Sequence, residues 1–471
     1  MKFRNLILFA FAAFFLASCG LKDRYQQPNI DDKYKNGIVR DNSSTDTTSL
    51  ADVAWRDFFT DPNLQALIDT ALKNNYDLKN AILQIGMAQS AFRQSKLNFL
   101  PSINFAPTIT FNNGSRNAMN MPSNVNIKLK TTTVQLGVTA DWEIDIWGKL
   151  ASQKRASLAN WLSMQGSKNA VQTALISQIA KTYYTLLALD KQLKVTQETI
   201  TLREKAVETI DAMFQSGKLT SADLDQAKAN LYAAKVIVPE LKQSIREMEN
   251  QLSALVAAPL GTIKRGTLDG QQMNTELKTG IPMLLLANRP DVYAAEMDFR
   301  REYELVNYDK AAFYPAIRLN SGSAGISSLT TNTLFDVKSF FANIVGGLFQ
   351  PIFNRGQLKA NLEQQKLRQQ MALNTFMNTL IKAGVEVSNA MYAYQTVEDK
   401  KNDRTQQVEA LQKAVEANES LLELSSKVNY TDVLVSEQNL LVAQLSQIND
   451  QLFQYEAMIE LYRALGGGWK K

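Results

Sequence analysis

Apolar residues return at every seventh position over long stretches of this chain. One series runs Leu186, Leu193, Ile200, Val207 and Phe214, another Leu224, Leu231, Val238, Ile245 and Leu252, and another Leu434, Leu441, Ile448, Tyr455 and Tyr462. A fourth, Leu380, Val387, Tyr394, Val408, Val415 and Leu422, is interrupted only by Lys401. Sustained seven-residue spacing keeps one seam of a helix against a neighbour, so it predicts helices packed side by side with coiled-coil geometry. Two of them are very long, over 149–215 and 357–425; at about 1.5 Å per residue each would reach roughly 100 Å. Shorter helices are expected over 63–99, 221–257, 290–313 and 430–465.

The period changes twice. Over 102–112, Ile103, Phe105, Ile109 and Phe111 alternate with Ser102, Asn104, Thr108, Thr110 and Asn112. Over 134–146, Val134, Leu136, Val138, Ala140, Trp142, Ile144 and Ile146 alternate with polar or small residues. Period two predicts strands, and about ten residues suffice for a tilted strand to cross a bilayer. Half-buried strands in a soluble sheet alternate in the same way, so the pattern alone leaves both readings open. The second interruption, 316–353, is less regular: Ile317 and Leu319 alternate with Arg318 and Asn320, and a Gly/Ser/Thr-rich stretch follows. The return segment Phe340–Phe349 is apolar on both faces and reads as a strand only from its place in a repeat.

That repeat organises the chain. Pro101-Ser102-Ile103 returns as Pro315-Ala316-Ile317, and Gly148 before one long helix returns as Gly356 before the other. Leu219-Thr220-Ser221-Ala222-Asp223-Leu224 returns 209 positions on as Val428-Asn429-Tyr430-Thr431-Asp432-Val433. Ala258-Pro259-Leu260-Gly261 echoes Arg463-Ala464-Leu465-Gly466. The expected fold is mainly α with membrane β-strands, in two tandem units of helix, strand, strand, long helix, turn and helix. Four strands cannot close a barrel, and open sheet edges have no partner in lipid, so spanning strands would require several copies.

The N-terminus changes the picture most. Lys2 and Arg4 precede an apolar run, Leu6–Leu16, that is short for a membrane span, and Leu16-Ala17-Ser18-Cys19 follows. This reads as a secretory signal, 1–18, with Cys19 as the new N-terminus, and Leu-Ala-Ser-Cys resembles the bacterial lipobox. That resemblance implies acylation of Cys19, the chain's single cysteine. A polar tether follows, 19–62 as a segment, then repeat 1 (63–262), a connector (263–283) and repeat 2 with the C-terminal segment (284–471). Removal of Lys2 and Arg4 lowers the net charge from +5 to +3. Without a basic stripe the chain has no nucleic-acid footprint. It contains no histidine, which removes the commonest general base and a common metal ligand. No carboxylate pair is spaced for catalysis, so no enzyme, cofactor or metal site is expected.

Several segments together resemble the outer-membrane factor lipoproteins of drug and metal efflux systems, a TolC-like family. They are Trp55-Arg56-Asp57-Phe58-Phe59-Thr60-Asp61-Pro62-Asn63-Leu64, Asn75-Tyr76-Asp77-Leu78, Asn288-Arg289-Pro290-Asp291-Val292, and Leu461–Trp469 with its three glycines. The resemblance implies a homotrimer whose twelve-stranded β-barrel lies in the outer membrane on an α-helical periplasmic barrel. It further implies a periplasmic adaptor (membrane fusion) protein and an inner-membrane pump, commonly of the RND class, as partners. A type I secretion duct, which shares the fold, and a coiled-coil lipoprotein scaffold without a pore are the rival expectations.

In that family acidic rings at the periplasmic turns constrict the passage, and Asp223 and Asp432 match the position. Three-fold repetition of one acid would favour cations in a narrow pore. Some members carry a second acid one turn after the latter aspartate, where this chain has Val435. Both aspartates also suit helix capping, and the two roles can coexist. Gly217, Lys218 and Leu219 in one turn, and Lys427 and Val428 in the other, are the expected adaptor-docking positions, with Gly217 also suited to a left-handed turn. Arg289-Pro290-Asp291 reads as a helix start. Phe99, Trp142, Trp147, Phe313, Tyr314 and Phe353 fall at helix–strand junctions, suited either to a membrane interface or to junction packing.

Overall fold

The computed structural model describes residues 25–28, 50–115, 118, 129–271, 288–424 and 430–470. After a 3-10 turn, Leu50–Asp52, come helices α1 (Trp55–Phe58), α2 (Pro62–Asn74) and α3 (Tyr76–Leu97). Strands β1 (Ser102–Phe105), β2 (Thr108–Asn113) and β3 (Lys130–Ile144) follow, then α4 (Lys149–Gln215) and α5 (Ser221–Val256). The order returns as α6 (Pro290–Ala311), β4 (Ala316–Ser328), β5 (Phe340–Asn343), β6 (Gly346–Phe349), α7 (Gln357–Leu424) and α8 (Tyr430–Ala464). The helices α4 and α7, 67 and 68 residues long, lie where the heptads predict them. Leu186, Leu224, Leu252, Leu380, Val387, Leu434, Leu441 and Ile448 from those series are buried.

Both long helices start alike. Gly148 and Gly356 have φ of 76° and 77°, a left-handed conformation that a side chain would strain. Their carbonyls accept the first helical bonds, from the Ser152 and Ala360 amides at 2.8 and 3.0 Å. The expected helix over 63–99 is in fact two. Asn75 breaks it with extended φ and ψ of −55° and 130°. Its side-chain oxygen accepts from the Leu78 amide at 3.0 Å while its Nδ2 donates to the Leu255 carbonyl at 2.9 Å. A local cap and a tie to the end of α5 together outweigh helix continuity. The duplicated helix ends also register differently from the echo at Ala258–Gly261. Ala257 and Gly466, 209 positions apart, both take left-handed φ (52° and 93°), and the amides that follow them bond to Ser253 and Tyr462.

The chain divides into two compact units that cut across both repeats. One comprises Met1–Pro28, Gly86–Ser163 and Glu296–Thr375, and holds the whole sheet, in which β3 of the first repeat pairs with β4 of the second. The other comprises Asn29–Ile85, Met164–Ala295 and Phe376–Lys471 and holds the main core. There Phe58 stacks on Tyr462 at 4.3 Å and Tyr184 on Tyr455 at 4.6 Å between ring centroids. Asp61, at the start of α2, accepts from the Asn63 amide, the Tyr183 hydroxyl at 2.6 Å and Gln271 at 2.8 Å. Burial would raise its pKa, but those hydrogen bonds outweigh it and hold the carboxyl below the usual range.

Alternating charges join four helices of this unit. Lys181 pairs with Glu460, Glu460 with Arg463, Arg463 with Glu386 at 2.9 Å, Glu386 with Arg289 at 2.8 Å, and Arg289 with Asp291 at 2.7 Å. Arg289, 3% exposed, also donates to the Ala464 carbonyl at 2.9 Å. The Arg-Pro-Asp segment thus starts a helix and locks the chain's last helix to it as well. Replacement of Arg289 by Ala should lower the unfolding free energy by about 2 kcal/mol, since its charge-assisted bonds are lost and the carbonyl of buried Ala464 loses this donor. Lysine should not restore it, because one ammonium cannot span the fork, and a thermal melt of each variant checks both outcomes. Glu460 adds a pH signature. Burial alone would raise its pKa, but hydrogen bonds from Arg463 and Lys181 bring it down to about 2. A depressed folded-state value stabilises above the unfolded pKa, so this contribution should disappear as the pH falls from about 4.5 towards 2. Glu460→Gln should flatten that loss, as followed by circular dichroism across the same window.

Candidate functional site

The sheet has two chemically distinct faces, and register decides which residues share each. Ile103 pairs with Ala140 and Phe105 with Val138; Ile109 pairs with Val134. On the far side of β3, Leu136 pairs with Ile326 and Val138 with Ala324. Beyond β4, Ile326 pairs with Phe340 and Ile317 with Leu348. Residues directly opposite in a ladder point the same way, so one face is mainly apolar from edge to edge, with Thr132 opposite Phe111 and Ser328 opposite Val134 as its polar members at one end. Ile103, Phe105, Ile109, Phe111, Phe340 and Leu348 are 65–75% exposed on it. The other face carries Thr110 opposite Thr133, Gln135 opposite Ser327, Thr139 opposite Ser323 and Glu143 opposite Arg318. An antiparallel sheet that turns an apolar face outward and a polar face away from it matches a membrane-spanning wall.

Details of the strands account for their irregular sequence. β1 and β2 form one edge, interrupted at Ala106-Pro107; the Ala106 amide still bonds to the Gly137 carbonyl at 2.9 Å, and Pro107 contributes no donor. A register shift between Ala140 and Trp142 brings Leu319 and Ile317 onto the same face as Gly322, Ala324 and Ile326. The return segment is two short strands, β5 and β6, both pairing with β4. Its aromatics on the polar face have specific partners. Phe341 lies against Gly137, where an added Cβ would meet its ring at 3.4 Å, and Phe349 lies under the Arg318 guanidinium at 5.3 Å.

The junction aromatics gather in two groups. The Trp142 indole donates to the Phe99 carbonyl at 2.9 Å, and the Trp147 indole to the Pro315 carbonyl at 2.8 Å, with Tyr314 at 5.1 Å from its ring. Both indoles therefore satisfy chain ends where helix passes into strand. Phe353 is 86% exposed and joins neither group. Beneath this end of the sheet a cavity of about 290 Å³ is lined by Glu143, Lys149, Asp309, Arg318 and Phe349 among others.

The first tip turn is built from the helix terminus. Gly217, at φ 75°, donates to Phe214 at 2.9 Å and Lys218 to Met213 at 2.9 Å, the paired bonds of a Schellman end. Thr220 and Asp223 then form a capping box. The Asp223 amide donates to Thr220 Oγ1 at 3.3 Å, and the Thr220 amide and hydroxyl donate to Asp223 Oδ2 at 2.9 and 2.7 Å. These bonds from Thr220 hold the Asp223 carboxyl below its usual range. The capping role is therefore filled at Asp223, whose side chain remains half-exposed. Asp432 occupies the same third position of α8 and is exposed, and its carbonyl accepts from Asn418 at 3.4 Å. Gly217 and Lys218 are exposed, whereas Leu219 packs against a small cluster of Ile210, Leu224, Ala227, Val433 and Leu434. Lys427, Val428 and Cys19 lie outside the described residues.

Sequence reasoning missed Arg203. Three per cent exposed, it donates to the Asn230 carbonyl at 2.7 Å and to Gln438 at 2.9 Å, bracing α4 against α5 and α8. Its signal was its place, on the second seam of the heptad with Thr196 and Ile210, where a charge must find partners. The partnership of Arg289 with Glu386 had no local signal, because nearly a hundred residues separate the two. Among the described residues, no cluster of three or more His, Cys, Asp or Glu is placed to hold a metal ion. No described helix is long and apolar enough to cross a membrane.

The family model described as outer membrane efflux protein matches residues 67–258 and 281–467. The chain is 29% identical to the toluene efflux pump outer membrane protein TtgC of Pseudomonas putida, over 99% of this chain and 96% of that one. It is 26% identical to the probable outer membrane lipoprotein SilC of Salmonella typhimurium, over 99% of both. The open-state crystal structure of the Neisseria gonorrhoeae MtrE outer membrane channel superposes with a TM-score of 0.83 at 25% identity, covering 95% of this chain and 98% of that one.

The two faces make a test. Arginine at Val138, on the apolar face, should cost about 2–4 kcal/mol of membrane insertion, while arginine at the neighbouring Thr139 should cost little. The fraction of each variant recovered folded in the outer membrane, beside wild type, checks the difference.

Proposed function

The chain belongs to the outer membrane efflux protein family, and from that premise we propose that three copies pool their sheets into a twelve-stranded barrel, the exit duct of a tripartite efflux system. The observation that carries this reading is the sheet itself: an apolar face exposed along its whole width and, among the described residues, no strand pairing beyond β1/β2 or β5/β6. In lipid such edges must be paired, and only further copies can supply the strands. The duct is a passive conduit and not an enzyme. Its driving force comes from an inner-membrane pump, of the RND class by the family resemblance, reached through a periplasmic adaptor. Cys19 carries the lipid anchor in the outer membrane, and the helices extend into the periplasm; a relative named as an outer membrane lipoprotein supports the anchor.

The tip turns are the docking and gating positions. Gly217 and Lys218 offer exposed contacts to the adaptor, with Leu219 anchoring their turn and Lys427 and Val428 as the counterparts in the second repeat. Asp223 and Asp432, repeated by three-fold symmetry, would place acidic rings at the passage and favour cations. Purified protein in planar bilayers should give discrete cation-preferring conductance steps. Asp432→Ala should reduce that preference or change the conductance seen from the periplasmic side, and Asp223→Ala should do so while also weakening the cap of α5. A silent bilayer would overturn the duct; an unchanged current–voltage curve in both variants would leave the aspartates as caps alone.

A further inference from the structure

Tyr25 lies far from its neighbours in sequence. Its ring meets Tyr303 edge-on at 5.6 Å and Phe299 at 6.1 Å between centroids, and the Arg300 guanidinium sits 5.3 Å over its face. Its hydroxyl donates to Glu296 Oε1 at 3.4 Å. Burial, reinforced by the nearby Glu296 carboxylate, raises the pKa of this phenol, which stays protonated as the donor. The four receiving residues, 296, 299, 300 and 303, lie at three- and four-residue steps and so form one stripe of α6. Phe299 is buried, and the others flank it as a shallow cage open to a single aromatic ring. Aromatic contact and cation–π attraction are the interactions such a cage offers.

We propose that this cage is a seat for the segment that follows the lipid anchor, and that Tyr25 latches the acylated N-terminus to α6 at a fixed distance from the sheet. The proposal rests on the reading of Cys19 as the anchor. Lengths support it. Six Cα-to-Cα steps lead from Cys19 to Tyr25 and span at most about 20 Å when extended. Eight residues of helix, about 12 Å, separate Tyr303 from Ala311, where α6 ends shortly before β4 begins at Ala316. Acyl chains on Cys19 can therefore reach the level at which the exposed apolar face of the sheet starts. With the latch closed, the anchor inserts beside the strands of its own protomer. With the latch open, the reach of the lipid is set by the tether alone.

Arg24 immediately precedes Tyr25, which makes the latch readable by trypsin. In full-length lipidated protein, cleavage between Arg24 and Tyr25 should be slow compared with a peptide of the same sequence. Tyr303→Ala leaves that bond unaltered but removes one wall of the cage, and should speed cleavage about tenfold. Tyr25→Ala should do the same, and Tyr25→Phe, which keeps the ring, should remain close to wild type. A native-gel band and an unchanged thermal melt exclude misfolding as the cause. Wild-type cleavage at the peptide's rate, or equal rates in wild type, Tyr25→Ala and Tyr303→Ala, would overturn the latch. Mass spectrometry of the released N-terminal fragment separately reports acylation: an unmodified Cys19 would remove the anchor on which the proposal rests, whatever the protection shows.

Discussion

An unpaired row of backbone amides at the edge of a sheet is costly in water and not tolerated in lipid. This chain holds a sheet that is mainly apolar on one face and, among the described residues, ends at β1/β2 on one side and β5/β6 on the other. Everything else follows from that incompleteness. In the proposed duct the chain meets other copies, those copies present the same apolar face outward, and the polar face then lines what they enclose. The duplicated sequence supplies the strands in the required order, since β3 from one repeat joins β4 from the other in the centre of the sheet. That pairing is also why compact units of the fold do not coincide with the repeats.

The helical part solves a different problem. Long heptad helices bury a seam but do not by themselves specify which neighbour they meet or where they stop. Here the helix ends are set by glycines in left-handed conformation, 148 and 356 before the two long helices and 217 and 466 after α4 and α8, together with the capping box at Thr220 and Asp223 that starts α5. Neighbours are specified by charges, half-buried in most cases and fully buried at Arg203 and Arg289. The series from Lys181 to Asp291 ties four helices together, and Arg203 ties α4 to α5 and α8 near the first tip. Removal of one member of such a set leaves its partner desolvated, which makes these contacts better at choosing a partner than at adding stability. The residues proposed for gating sit among such devices, so the cap and the proposed gate share one side chain at Asp223.

Much of the fold was legible in the sequence because helices and regular strands are written in local periods. Both long helices, the paired glycines before them, the tip turn with its aspartate and the alternating faces of β1–β3 are all set by residues within a few positions of each other. Period reading failed where the backbone changed phase. A register shift inside β4 moves the apolar positions from Ile317 and Leu319 to Gly322, Ala324 and Ile326, which hides the alternation. Phe341 and Phe349 stand on the polar face because Gly137 and Arg318 receive them, partners some 200 and 30 residues away in sequence. Asn75 broke a helix that its own neighbours favour because it bonds to Leu255.

Sequence alone determined the inventory: heptad helices, two pairs of strands, the duplication, a lone cysteine behind an apolar run, and the absence of histidine. Each depends only on residue identity and spacing. The tertiary structure alone decided which strand of one repeat adjoins which of the other, that Arg289 answers Glu386, that Arg203 can be buried, and that Tyr25 has a seat on α6. Those are meetings of residues distant along the chain, and no local period encodes them, since only the folded backbone brings their charges and rings within reach.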